Sequence, residues 1–383
     1  MVVSFNGKTL HLLFKFKALM KKILYIPILF TISVLLFSCE TKVDLNAEYK
    51  DITVVYGLIN PNDSVHYVKI NKVFLPEDGA NANTLAANQA NFNYAADELT
   101  ATVVEINASN GNVIKTFNLV RTENEIPKDD GVFDNSVNVL YKFIEPAINR
   151  NNIYQLKIYN SKLDKEITSE TLIVGNSTVT SPTLSQKMAF WIGAPNNGGF
   201  ANRSISFTTG KNIGRIDAKL IFNYTNHFVA SSGISPQPQQ IIMRMGELKT
   251  TNPVDGSELL EWTMEGATFF DNIRASVPAT LTNLSHRELQ NVDLEFVVAG
   301  TELNVYMEVA EPSNTVNQDK PSYTNIENGL GVFSSRETYK WISTIDPNTG
   351  NLNLTAPTIE KLSVMGLSFC FGNSTTSNYA CPQ

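Results

Sequence analysis

Histidine, cysteine and charged residues are all scarce in this chain of 383 residues, and each scarcity narrows the choice of function. The chain has 4 histidines, 3 cysteines and only 17% charged residues. It contains no His-Glu-x-x-His pair, no two histidines at metal-binding spacing and no Gly-x-Ser-x-Gly elbow. We therefore predict a protein that is not an enzyme and has neither a metal nor a cofactor. An uncharacterised hydrolase stays as a third hypothesis, because catalytic triads are assembled in space.

Three of the histidines lie beyond residue 50, at His66, His227 and His286, far apart and in unrelated sequence contexts. We expect His66, just before a strand, to lie on the surface. His227 lies near Tyr224 and Phe228, and we expect it to be packed or at a rim. On this basis the histidines are not grouped into one site.

Positive charge is also scarce, with 30 Lys and Arg against 37 Asp and Glu, so the net charge is −7 at pH 7. Residues 1–38 contain five lysines and no acid, and without them the charge is −12. A chain this acidic is a poor partner for nucleic acid and for electrostatic attachment to anionic lipid. The low share of charged residues, with abundant Asn, Thr and Ser, is typical of a sheet-rich envelope protein rather than a cytosolic helical enzyme.

The apolar run that follows Met20-Lys21-Lys22 is too short to span a bilayer comfortably and ends in Leu36-Phe37-Ser38-Cys39. A basic start, a short apolar stretch and a small residue before cysteine indicate a bacterial lipoprotein signal peptide over residues 1–38. Residues 1–19 precede a natural start at Met20 and are treated as a possible mis-annotated start. We predict that Cys39 carries palmitate and other acyl chains, each buried methylene contributing about 0.8 kcal/mol. An uncleaved anchor is the alternative, and both interpretations place the rest of the chain outside the cytoplasm.

Residues 39–50 are polar and are predicted to form a lipidated tether. Because Asp does not follow Cys39, a common signal for retention in the inner membrane is missing. The outer membrane is therefore the expected destination, on either its periplasmic or its cell-surface side.

Assigning Cys39 to lipid leaves an even pair of cysteines, Cys370 and Cys381. Outside the cytoplasm such a pair is expected to form a disulfide, which would close a short C-terminal loop. Two free thiols and a metal-binding pair are the alternatives, and no histidine lies near enough in sequence to favour the metal.

The hydrophobic pattern predicts a mainly β protein in two parts. Residues 51–178 alternate with period two between turn-forming clusters, which favours a β-sandwich-like, Ig-like domain. Ser109-Asn110-Gly111-Asn112 predicts a hairpin with a type I′ turn, and alternation at Tyr154, Leu156 and Ile158 predicts a strand. Residues 179–383 are predicted to form a second β-rich domain.

Within that second domain, we predict strands at Leu259–Met264 and Val305–Val309. One or two short helices are expected, and the segments chosen for them are Thr282–Gln290 and Ser335–Ile345.

Two loops contain further candidate sites. One loop contains three carboxylates of the kind that Ca²⁺ prefers as ligands, Asp129, Asp130 and Asp134. Their spacing does not match an EF-hand loop, and a solvated acidic turn is the alternative. Asp63-Ser64-Val65 resembles the short O-glycosylation acceptor pattern of Bacteroidetes envelope proteins, which makes Ser64 the candidate acceptor.

The tryptophans Trp191, Trp262 and Trp341, together with the many Tyr and Phe residues, are open to two interpretations. Exposed, they would offer stacking faces for a glycan or anchors for a peptide. Buried, they would fill the core of a sheet-rich fold.

Four features of the chain together resemble a family of Bacteroidetes outer-membrane lipoproteins of unknown function. The first is the lipid site, Cys39-Glu40 followed by Val43-Asp44-Leu45, and the second is a first strand, Thr53–Ile59. The third is the glycine-containing segment Thr324–Phe333, and the fourth is the C-terminal pair Cys370 and Cys381. Family members have more closely spaced C-terminal cysteines than this chain. The family consists of large two-part β proteins that are often encoded beside TonB-dependent receptors.

This resemblance implies an outer-membrane lipoprotein without enzymatic activity that binds an envelope partner, as an accessory to a TonB-dependent receptor. A surface lipoprotein that captures glycans or peptides is the alternative. Gly329 and Gly331 are expected to permit a sharp turn or a close backbone approach before Val332-Phe333.

Overall fold

Short segments with alternating buried and exposed side chains form a mainly β structure, as predicted. The computed structural model describes residues 52–73, 86–128, 136–311, 322–349, 351–372 and 379–382. Of these residues, 48% are in strands and 13% in helices, and three α-helices lie wholly among them. Among these described residues, no helix is both long enough and apolar enough to cross a membrane.

The strands of the first half are short and separated by turns. They are β1 (Thr53–Ile59), β2 (Val65–Lys72), β3 (Leu99–Asn107), β4 (Val113–Asn118), β5 (Val120–Glu123), β6 (Val139–Ile144), β7 (Asn152–Asn160) and β8 (Lys165–Leu172).

The second half contains longer strands. They are β9 (Thr178–Ser181), β10 (Trp191–Ile192), β11 (Gly199–Phe200), β12 (Arg203–Thr208), β13 (Ile213–Phe228), β14 (Gln237–Lys249), β15 (Leu259–Met264), β16 (Leu284–Gly300), β17 (Gly329–Trp341) and β18 (Phe369–Cys370). The helices are α1 (Gly266–Ser276), α2 (Thr301–Ala310) and α3 (Ala356–Ser363), with short 3₁₀ turns at Gln89–Asn91, Ala230–Ser232 and Pro347–Thr349.

Four sheets are built from these strands. The largest has the order β14-β13-β16-β17-β1-β2-β6-β5, with β18 added beside β16. The others have the orders β4-β3-β7-β8, β15-β12-β9 and β10-β11. The β-sandwich-like, β-rich architecture expected from the sequence is therefore present.

The predicted hairpin forms between β3 and β4, but its turn differs from the expected type. Only Gly111 has a positive φ, 71°, in this turn, whereas type I′ needs two such residues. The side chain of Asn107 accepts hydrogen bonds from the backbone N–H groups of Ser109 and Asn110, at 2.9 and 3.2 Å. This side-chain acceptor holds a longer loop and removes the need for the tight turn.

Both helix predictions are wrong, because Thr282–Gln290 leads into β16 and Ser335–Ile345 overlaps β17. The predicted strand Val305–Val309 is also wrong, since it lies in α2. In each case pairing and packing with distant segments outweigh the local pattern.

Two core clusters fill the fold, and the first contains residues from both halves of the chain. Buried residues from Val55 to Ile173 form the first cluster, and buried residues from Val174 to Phe371 form the second. Ile326 and Phe333 join the first cluster despite their late position in the sequence. Strand β17 therefore contributes to both cores.

The two segments that carry the family resemblance are neighbours in the large sheet. β1 and β17 run parallel, with Thr53 opposite Gly329 and Val55 opposite Gly331. A Cβ on Gly331, whose φ is +111°, would lie 1.9 Å from the Val55 carbonyl oxygen. The expected close backbone approach is thus made to β1.

The partly buried amine of Lys69 in β2 predicts a pH dependence of stability. Its Nζ donates to Asn138 Oδ1 and the Val139 carbonyl, at 2.8 and 2.9 Å. Burial, aided by the charge of Lys128, lowers the pKa of Lys69 from 10.5 to about 8. The unfolded chain therefore holds this proton to higher pH than the folded chain, and raising the pH from about 8 to 10.5 favours folding at this site.

We expect the free energy of unfolding of the wild type, relative to Lys69→Met, to rise across that pH window in urea titrations. The exposed Lys157 of β7 provides the control, and Lys157→Met should run parallel to the wild type. Parallel curves for Lys69→Met would contradict the assignment.

Candidate functional site

A polar cavity of about 610 Å³ lies beside the C-terminal end of the chain. Its walls come from the end of β13, the start of β16 and the segments around the two C-terminal cysteines. The residues that bear on its chemistry are His227, Ser285, His286, Glu288 and Cys381.

Strand pairing brings two histidines together in this cavity. In the antiparallel pair β13–β16, His227 lies directly opposite His286. Their rings are stacked with centroids 4.6 Å apart and planes 9° apart. His227 Nε2 also lies 3.0 Å from a carboxylate oxygen of Glu288, two residues further along β16. The prediction that the histidines are not grouped into one site is therefore wrong for His227 and His286. Side chains directly opposite each other on paired strands are in contact even when they are far apart in sequence.

His66 does not belong to this cavity. It is buried in the first core, contrary to the surface position predicted for it. Its ring is stacked on Phe143, and its Nε2 is 3.0 Å from the Glu145 carbonyl oxygen.

The environment of His286 favours the neutral imidazole. Burial lowers its pKa, the neighbouring His227 lowers it further, and Glu288 acts in the opposite direction. The net shift is downward, toward the neutral form of the ring.

Cys370 and Cys381 form a disulfide at the edge of the same cavity, with Cα atoms 4.9 Å apart. Cys370 lies in β18, which pairs with β16 so that Cys370 is opposite Glu288. One ring nitrogen of His286 and the two sulfur atoms all lie within 4.8 Å of one another.

The arrangement does not form a serine–histidine–acid relay. Ser285 Oγ is 3.1 Å from His286 Nδ1, whereas the carboxylate of Glu288 pairs with His227. A relay needs the hydroxyl and the acid on opposite nitrogens of one ring. Among the described residues, no imidazole is hydrogen-bonded to both groups. The imidazole, hydroxyl and carboxylate groups of the cavity are of types that can bind a ligand or an ion.

The other predicted site residues fall elsewhere. Ser64 is exposed in the turn between β1 and β2, and its role as an O-glycosylation acceptor stays a prediction. The lipidation site and the calcium candidates lie outside the described residues; these are Cys39, Asp129, Asp130 and Asp134.

All three tryptophans are buried in the second core, which favours the packing interpretation. Trp191 and Trp262 donate their indole N–H to the carbonyls of Ala194 and Gly246, at 3.1 and 3.0 Å. Buried rings cannot provide stacking faces for a glycan.

One buried and one partly buried arginine gave no sequence signal. Arg287 has no exposed surface and donates to the carbonyls of Pro278 and Leu367. Arg150 donates two hydrogen bonds to the buried carboxylate of Glu337, at 2.6 and 2.9 Å. An isolated arginine looks like a surface residue in a sequence, and only the packing of distant segments shows otherwise.

Comparisons with known proteins find no match among protein-family models and none among curated proteins. The C-terminal globular domain of the Pyrococcus abyssi oligosaccharyltransferase matches at 9% identity and TM-score 0.26, over 67% of this chain and 50% of that chain. The α-2-macroglobulin of E. coli matches at 8% identity and TM-score 0.18, over 66% of this chain and 15% of that one. A BSP domain of a biofilm-associated protein matches at 8% identity and TM-score 0.12, over 67% and 58% of the two chains. The chain thus spans half or less of the first two, and likenesses this slight carry no argument.

Proposed function

We propose that this chain is an outer-membrane lipoprotein, anchored by acyl chains on Cys39, whose β domains bind another envelope protein rather than catalyse a reaction. A TonB-dependent receptor is the proposed partner, on the strength of the family resemblance. The observation that carries the proposal is the Cys370–Cys381 disulfide. Disulfides persist in oxidising compartments outside the cytosol, where the sequence Leu36-Phe37-Ser38-Cys39 would direct the chain.

The surface of the large sheet supports a protein partner. Among the described residues, β14 pairs with no strand but β13, so its other edge has no strand partner; the Gly246 carbonyl of β14 accepts from the Trp262 indole. Ile242, near the middle of β14, is 59% exposed. An extended segment of a partner can add to such an edge through main-chain hydrogen bonds, with apolar side chains supplying specificity. The alternative of glycan capture called for exposed aromatic side chains; the three tryptophans are buried, whereas Tyr56, Tyr159 and Phe200 are exposed.

Lipidation is tested first. We expect the wild-type chain to incorporate radiolabelled palmitate in cells and to fractionate with the outer membrane. Cys39→Ala should lose the label and move to the soluble fraction, because without acyl chains the apolar anchoring energy is absent. Equal labelling and identical fractionation of the two chains would contradict the proposal. Protease shaving of intact cells then separates a cell-surface from a periplasmic orientation.

Partner binding is tested by cross-linking in intact cells, followed by purification of the tagged chain from solubilised outer membrane. We expect a TonB-dependent receptor to be recovered with the wild type, and recovery to fall at least about tenfold with Ile242→Asp. Val254, 72% exposed in the segment between β14 and β15, gives the matched control Val254→Asp. Recovery of no envelope protein with the wild type would contradict the proposal, and equal losses with both variants would remove β14 as the docking edge.

A further inference from the structure

The disulfide and His286 form a group that neither the lipid anchor nor the docking edge requires. The His286 ring nitrogen and the sulfurs of Cys370 and Cys381 lie within 4.8 Å of one another at the wall of the cavity. Two sulfurs and one imidazole are the ligand types of zinc sites in proteins. While the sulfurs are bonded to each other, neither can act as a thiolate ligand.

We propose that Cys370, Cys381 and His286 form a redox-controlled metal site, which is closed in the disulfide form and binds Zn²⁺ when the disulfide is reduced. The reductant is an external dithiol. It transfers two electrons and two protons, so the bond between the Cys370 and Cys381 sulfurs breaks, two thiols form and the dithiol becomes a disulfide. Zn²⁺ then displaces the two thiol protons, and His286 contributes its neutral ring nitrogen.

The geometry allows this change with small movements. In a tetrahedral site with Zn–S bonds of about 2.3 Å, the two sulfurs lie roughly 3.8 Å apart. The observed cluster already brings all three ligand atoms within 4.8 Å, and the sulfurs need only to separate after reduction. Cys381 is half-buried, and reduction frees its sulfur from Cys370.

The cavity also provides access and a fourth ligand. Its opening exposes Cys381 to a reductant and an ion. The carboxylate of Glu288, two residues from His286 on β16, lines the same cavity and pairs with His227 at 3.0 Å. A water molecule in the cavity can complete the tetrahedron, and Glu288, held by His227, lies on the same wall.

Cobalt(II) is the probe, because thiolate-to-cobalt charge transfer and tetrahedral d–d bands report the ligands directly. All samples carry Cys39→Ser, so that the third cysteine cannot contribute. The chain is reduced with dithiothreitol, freed of it by anaerobic gel filtration, and titrated with Co²⁺ and then with competing Zn²⁺. We expect one Co²⁺ per reduced chain, displaced by Zn²⁺, and no thiolate band from the oxidised chain.

Two variants distinguish a specific site with a histidine ligand from binding of the metal by the thiols alone. Outer-shell changes alone typically cost 10–100-fold in metal affinity, so loss of a ligand in His286→Ala should weaken Co²⁺ binding by about 100-fold or more. His66→Gln removes an imidazole from the other core and should leave the affinity unchanged. Three results would overturn the proposal: no thiolate band from the reduced chain, equal affinity of His286→Ala and the parent, or unfolding on reduction that Co²⁺ does not reverse, as followed by circular dichroism.

Discussion

We expect Gly331→Ala to lower the free energy of unfolding by about 3–5 kcal/mol in urea denaturation, because it combines two separate penalties. The φ of Gly331, +111°, is one that residues with a Cβ rarely adopt. The added methyl would also lie 1.9 Å from the Val55 carbonyl oxygen of β1. Because that neighbour is backbone, the parallel pair β1–β17 has to separate, and with it the contact of Phe333 with the first core.

Two other glycines serve as controls for these two penalties. Gly246 has a φ of +97° but open space around its missing Cβ, so Gly246→Ala measures the dihedral strain alone, about 1–2 kcal/mol. Gly199 has neither feature, and Gly199→Ala should be close to neutral. If Gly331→Ala costs no more than Gly246→Ala, the close approach to β1 does not constrain this position.

Glu337→Ala is expected to cost about 3 kcal/mol of the free energy of unfolding, because it leaves a partly buried cation without its partner. Glu337 in β17 is only 2% exposed. It accepts two hydrogen bonds from Arg150 and one of 2.7 Å from Asn62 Nδ2. Burial opposes the charge of Arg150, but the hydrogen bonds and charge of Glu337 outweigh it, so the pKa of Arg150 is raised. Both of these partners lie in turns of the first half, so the contact ties that half to β17.

A double replacement tests this pair. Arg150→Met with Glu337→Leu removes both charges and should recover much of the stability lost in Glu337→Ala, since a buried ion pair is often replaceable by apolar side chains. The exposed pair Arg274–Asp271 on α1 provides the control, and Asp271→Asn should cost less than about 0.5 kcal/mol. A similar loss of unfolding free energy for Glu337→Ala and Asp271→Asn would show that the Arg150–Glu337 pair does not stabilise the contact between the first half of the chain and β17.

The strands whose local pattern agrees with their final environment were predicted well. β1 coincides with the first strand that carries the family resemblance, Thr53–Ile59, and β15 matches its predicted bounds. The alternation at Tyr154, Leu156 and Ile158 lies within β7, where all three side chains are buried. In these segments one face of the strand packs on a core, and period two is the direct result. Predictions failed at β16, β17 and α2, where long-range partners decide the conformation.

The amino-acid sequence by itself determined that the chain is mainly β, because the spacing of apolar residues and turn formers is a local property. The number of cysteines, with Cys39 assigned to lipid, also predicted the pairing of Cys370 with Cys381. Only the tertiary structure decided that β1 lies beside β17, that His227 stacks on His286, and that His286 lies next to the disulfide. Strand register and strand order depend on contacts between residues far apart in sequence. The hydrophobic periodicity of one segment does not identify the distant segment with which it pairs.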